Sequence, residues 1–160
     1  MKFHELVFTI QVDHAVIGRL LDSIALSGYR DARRKLSIVK QLLINHFLVE
    51  EFVLYPYIRK QLVNSEAGDQ TSLFEQMDHR DATEVLKGME GHNSACTHII
   101  TRVSACLNAE EEAFRALFAD LSSLLRARIA FEEERLLRGV DTSRTKLLRK
   151  ADFARVRIDD

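Results

Sequence analysis

Hydrophobic residues recur along this chain in alternating steps of three and four, the period of a helix with one buried face. Leu6, Ile10, His14, Ile17, Leu21 and Ile24 predict a helix from about His4 to Ser27, with Gly28 as its stop. Leu36, Val39, Leu43, His46, Glu50, Val53 and Tyr57 predict a second, from a cap near Asp31 to about Leu62. Pro56 is expected to kink or end that helix one turn after Glu50, because proline removes a donor and crowds the preceding turn. Asn64 to Thr71 read as a polar loop, and Ser72-Leu-Phe-Glu75 has the spacing of a capping box. A third stripe runs His79, Ala82, Leu86, Met89, Asn93, Cys96, Ile100, Val103, Leu107. It reads as one long helix through Gly88 and Gly91, each weakening it by roughly 1 kcal/mol relative to alanine. A break between Gly88 and Asn93 is the alternative. Asn108 caps a fourth helix, whose acidic start at Glu110 to Glu112 suits the positive end of a helix dipole. Its stripe is Phe114, Leu117, Leu121, Leu125, Arg128, Glu132 and Leu136, ending near Arg138 before Gly139.

Four such helices with short connections predict an all-α fold, an antiparallel up-down-up-down four-helix bundle over residues 1–140. Residues 141–160 are expected to form a C-terminal tail, with a short helix between Ser143 and Lys150. Composition agrees: 160 residues suit one core, and a single proline with six glycines leaves long helices uninterrupted. The net charge of -1 speaks against a nucleic-acid partner. No apolar run approaches the ~20 residues of a membrane span. The first residues lack the basic, apolar and cleavage regions of a signal peptide, so the expected address is the cytoplasm. Cys96 and Cys106, ten positions apart on one helix, would stand ~15 Å apart and are expected to be buried thiols rather than a disulfide.

The chemistry lies in the polar residues that interrupt the stripes: His14, His46, Glu50, His79, Arg128 and Glu132. His46 and Glu50 are four apart and share a helix face. A lone core histidine is ordinarily a hydrogen-bonded core histidine, and a lone buried glutamate ordinarily has a basic partner. Three histidines and two glutamates at one level are harder to explain by packing. Two buried carboxylates without a cation would cost several kcal/mol, and a metal ion supplies the missing charge. His92 and His98 fall off the third stripe and are expected at the surface. Gly-rich phosphate loops and CxxC spacings are missing, which leaves little ground for other catalytic chemistry.

Asp13-His14, His46-x-x-x-Glu50-Glu51-x-x-Leu-Tyr-Pro56 and Asp78-His79 together resemble a hemerythrin-like (HHE cation-binding) domain, over roughly residues 1 to 138. The resemblance implies two irons between the helices. His14 and His46 would be terminal ligands of one, His79 a ligand of the other, and Glu50 and Glu132 bridges. Family members bind dioxygen, respond to oxygen or nitric oxide, handle peroxide or sense iron, so a small diatomic ligand or peroxide is the implied partner. Two positions depart from the pattern. Arg128 stands where the fourth helix should offer histidine, and Thr83 stands four after His79, where oxygen carriers place another. A guanidinium cannot lose its proton to coordinate. Three readings stay open: a diiron site with one open iron, a single metal beside an Arg128–Glu132 ion pair, or a metal-free bundle serving as a scaffold or interaction module. The long third helix is also a candidate face for a homodimer.

Overall fold

The computed structural model describes residues 3–66 and 87–135, and these are helical apart from short links and turns, with no strand among them. Helix α1 spans Phe3–Leu26 and α2 spans Tyr29–Val49. A π-helical turn, Glu50–Leu54, follows directly and leads into α3, Tyr55–Glu66. Helix α4 spans His92–Leu107 and α5 spans Glu111–Arg135. His79, Thr83, the predicted capping box and the predicted tail lie outside the described residues. No helix among the described residues is long and apolar enough to cross a membrane.

A two-residue link, Ser27-Gly28, folds α2 back along α1. Residues 108–110 do the same for α5 on α4, where Tyr29 Oη donates to the Ala109 carbonyl at 2.7 Å and ties the two links together. Helix α1 packs on α2 and α5, and α4 packs on α2 and α5, which closes a ring of four contacts. Inside that ring lies one apolar cluster, including Ile17, Leu21, Leu36, Val39, Val103, Phe114, Leu121 and Leu125. A smaller one gathers Leu6, Val7, Ile10, Leu54, Tyr55, Ile58 and Met89. Two of the polar residues of interest fall between the two clusters along the chain, His14 between Ile10 and Ile17 and Glu50 between Phe47 and Leu54, while His46 adjoins Phe47 at the edge of the larger one.

The first predicted stripe is buried throughout, Leu6 to Ile24. The second holds from Leu36 to Glu50 and then changes register. Val53 is 43% exposed, while Leu54, Tyr55 and Ile58 turn inward. The reason is local. The Tyr55 N–H reaches back five residues to the Glu50 carbonyl, so one extra residue is held in this turn. Pro56, which has no N–H to give, then falls in the first turn of α3, where the missing donor costs little. Proline thus neither ends the helical path nor stops it; a π turn absorbs it.

The third helix follows the alternative of a break between Gly88 and Asn93, not the expectation of one continuous rod. Residues 87–90 are helical, a turn falls at Gly91, and α4 begins at His92. Gly91, a poor helix former, accepts the first backbone bond of the new helix from Ala95 at 3.0 Å. The break moves the buried stripe by one residue. Met89 and Val103 are buried as expected, but Asn93, on the predicted stripe, is exposed, and His92, Ile99 and Cys106 are buried in place of Asn93, Ile100 and Leu107.

Candidate metal centre

Four donors meet where α1, α2 and α5 converge. His14 comes from the middle of α1, His46 from the last turn of α2, Glu50 from the next turn, and Glu132 from the last turns of α5. The His14 and His46 Nε2 atoms lie 3.2 Å apart. Glu132 Oε2 is 3.1 Å from His14 Nε2 and 3.7 Å from His46 Nε2. Glu50 Oε1 is 3.5 Å from His46 Nε2. All four donor atoms fall within 4.8 Å of one another, and all four residues are buried. Ligands held ~2.1 Å from an ion stand ~3–3.5 Å from each other, so this is the spacing of a coordination sphere.

The outward nitrogens of both imidazoles are also engaged. His14 Nδ1 faces Glu133 Oε1 and His46 Nδ1 faces Asp13 Oδ2, each at 3.3 Å. A Nδ1–H donated to a carboxylate leaves the Nε2 lone pair turned inward, the usual support of a metal-binding histidine. The pattern interlocks the helices. Asp13 sits beside His14 but steadies the histidine of α2; Glu133 sits beside Glu132 but steadies the histidine of α1. Sequence reading missed these two roles, although an acid adjoining each inner ligand was there to be seen.

Glu50 fits a cation most directly. It has no exposed surface, and neither carboxylate oxygen has a hydrogen-bond partner. An orphaned buried carboxylate costs several kcal/mol unless a charge completes it. Without a metal the pocket draws its balance from its own ions. Burial acts first against charge on His14 and His46. Hydrogen bonds to Glu132 and Glu133 nevertheless raise His14, and Asp13, Glu132 and the nearby Glu50 carboxylate lift His46 to about 11. Burial pushes Glu50 up. It pushes Glu132 the same way, but His14, His46 and Arg128 overcome it and hold that carboxyl well below the usual range.

Arg128 extends the cluster toward α4. Its Nε pairs with Glu132 Oε1, the i,i+4 ion pair raised as one of the three readings. Its Nη2 donates to His92 Nδ1 at 2.9 Å and lies 3.5 Å from Tyr55 Oη. Tyr55 Oη is itself 3.0 Å from His92 Nδ1, a contact that depends on the π turn rotating Tyr55 inward. His92, expected at the surface, is therefore 1% exposed and faces the centre; His98 is exposed as expected. The correction follows from the break at Gly91. The spacing His92, Cys96, Ile99, Val103, Cys106 carried the signal, since it runs in steps of four and three without the polar Asn93 that interrupts its rival.

Helices that bury imidazoles and carboxylates around one point make a helical domain equipped to take a cation. The family model of the hemerythrin HHE cation binding domain matches residues 5–139, and the chain belongs to that family. No curated protein and no solved structure matches it.

Proposed function

We propose that this protein is a hemerythrin-like non-heme iron protein that holds iron among His14, His46, Glu50 and Glu132 and uses it to bind or sense dioxygen, nitric oxide or peroxide. The observation that carries the reading is Glu50, wholly buried with both oxygens unpartnered beside two inward-facing Nε2 atoms. Membership of a cation-binding family supports it. The ring of packed helices supports an antiparallel up-down-up-down bundle as the frame. Iron held there would supply an open coordination position for a small ligand. The residues do the rest: Asp13 and Glu133 orient the imidazoles, and the apolar clusters keep bulk water from the carboxylates.

One observation favours a second reading, a metal-free helical module. Protonated His14 and His46 with Arg128 can offset Glu50 and Glu132 without any ion. Metal analysis separates the two. Protein from iron-supplemented culture is expected to hold at least one iron per chain. Glu50→Gln and His46→Ala are each expected to lose it while keeping the wild-type helical circular dichroism. No bound metal under any loading condition would sink the iron reading. For the ligand, nitric oxide or peroxide is expected to change the visible absorption of the iron-loaded protein. An unchanged spectrum with both would remove the gas- or peroxide-binding role.

A further inference from the structure

The two oxygens of Glu132 have different neighbours. Oε2 lies 3.1 Å from His14 Nε2 and 3.7 Å from His46 Nε2, so it belongs to the metal pocket. Oε1 is paired with Arg128 Nε, one turn earlier on α5. The guanidinium reaches further. Its Nη2 donates to His92 Nδ1 at 2.9 Å and lies 3.5 Å from Tyr55 Oη. Its central carbon stands 5.9 Å from the centroid of the Phe131 ring. The Arg128 side chain is 15% exposed, so its charge is largely withdrawn from water.

We propose that Arg128 is a built-in second cation: it fills the place beside Glu132 that another ion would need, and so limits the centre to one metal ion per chain. The proposal deepens the iron reading and rests on it. Occupancy is the first support. A carboxylate shared between two ions gives one oxygen to each, and the Glu132 oxygen that is turned from the pocket already holds a guanidinium. Charge is the second. Glu50 and Glu132 are the two buried carboxylates among the described residues, and one divalent ion balances them. Arg128 then adds a positive charge that no pH near neutrality removes. A second divalent ion beside it would meet repulsion in surroundings that screen poorly. Anchorage is the third. Glu132 holds the guanidinium from α5, His92 from α4 and Tyr55 from the start of α3, while Phe131 lies against it. The charge is fixed in place.

One ion in place of two narrows the ligand. Taking dioxygen to the peroxide level needs two electrons, and one Fe2+ passing to Fe3+ yields one. Nitric oxide binds Fe2+ without that demand. A single iron with a guanidinium at its side therefore suits nitric oxide and does not suit holding dioxygen in the two-electron-reduced form. Arg128 touches neither the ion nor the ligand in this scheme; it acts through Glu132, as a positioning residue.

The test is an oxygen-free Co2+ titration of the metal-free protein, followed by equilibrium dialysis. One Co2+ per chain is expected for the wild type and for Arg128→Lys, which keeps the charge. Two are expected for Arg128→Gln and Arg128→Met, which remove it. A measurement on the wild type alone stands beside these. Fe2+-loaded protein under nitric oxide is expected to give the half-integer-spin resonance of an isolated iron–nitrosyl, integrating to one spin per iron. Two Co2+ per wild-type chain, or a spin count depressed by coupling between two irons, would overturn the role of Arg128 and leave the iron reading standing. So would a single Co2+ in both neutral variants with wild-type circular dichroism. Iron-loaded protein with no nitrosyl resonance and no spin coupling would remove nitric oxide as the ligand. No Co2+ bound at all would overturn the iron reading along with this inference.

Discussion

Two layers of this protein are buried equally well and held together differently. Around Ile17, Leu21, Val103, Phe114 and Leu121, the buried faces of α1, α2, α4 and α5 meet through apolar side chains. Phe114 and Phe118 stack with centroids 6.0 Å apart, and Tyr29 meets Phe114 edge-on at 5.5 Å. Along the same α1, α2 and α5, His14, His46, Glu50 and Glu132 are just as hidden from water, yet the Glu50 oxygens make no hydrogen bond and meet only imidazoles, at 3.5 and 3.7 Å. The apolar layer is complete as it stands. The polar layer depends on charge balance. The first holds the helices by apolar contact; the second gathers opposite charges whose balance is set by His14, His46 and Arg128.

Three changes break or sharpen that contrast. The largest effect is expected from Phe114→Ala, which empties part of the apolar layer and should destabilise the protein by about 3–5 kcal/mol. Denaturant unfolding should give the same loss with and without bound metal; a loss that depends on metal would mean the layers are coupled. Next comes the metal itself. Iron(II) or zinc at about 100 times its dissociation constant should add about 2.7 kcal/mol to the unfolding free energy. That gain should vanish in Glu50→Gln. The pH dependence sharpens it. His46 is raised from 6.5 to about 11 in the metal-free fold, so its stabilisation is whole below pH 6.5 and is lost as pH rises through about 11. Metal-free protein should therefore unfold at lower denaturant at pH 10 than at pH 7. The loaded protein should lack this His46 contribution, because its Nε2 is no longer free to hold a proton. The smallest effect is expected from Asp13→Asn, which loosens the orientation of His46 without removing a donor. It should weaken metal binding by about 10–100-fold and, by removing the charge that helps raise His46, lower the metal-free unfolding midpoint at pH 7 slightly. Equilibrium dialysis and unfolding curves check the two halves, and unaltered affinity would remove Asp13 from its supporting role.

Much of this was legible from the sequence where side-chain period and helix period agree. The α1 stripe came through whole, and His14, His46, Glu50 and Glu132 were marked by being polar on apolar faces. The reading went astray where the backbone departs from the α-helical step. After Glu50 the π turn adds a residue, so Val53 and Tyr57 were expected inward in place of Leu54, Tyr55 and Ile58. At Gly91 the helix restarts, which carried His92 from the expected surface into the core. Neither event changes composition or polarity, so a fixed period drawn through them shifts positions beyond it by one, although Val103 stays buried as expected. His79, placed on the third helix by its stripe and given a ligand role by the resemblance, lies outside the described residues, and His92 provides that side's contact with Glu50.

The turn at Glu50–Leu54 has a consequence for chain length. In an unbroken α-helix, the residues three, four and seven beyond Glu50 would share its face. Here that face is taken by Leu54, Tyr55 and Ile58, four, five and eight beyond it. The difference is one residue throughout. The segment is thus a regular helix carrying a single insertion, whose surplus shows outside as Phe52 and Val53. A relative one residue shorter here could present the same leucine, tyrosine and isoleucine to the centre on a plain α-helix. An alignment that scored the gap as damage to the site would misread a change confined to the outer surface.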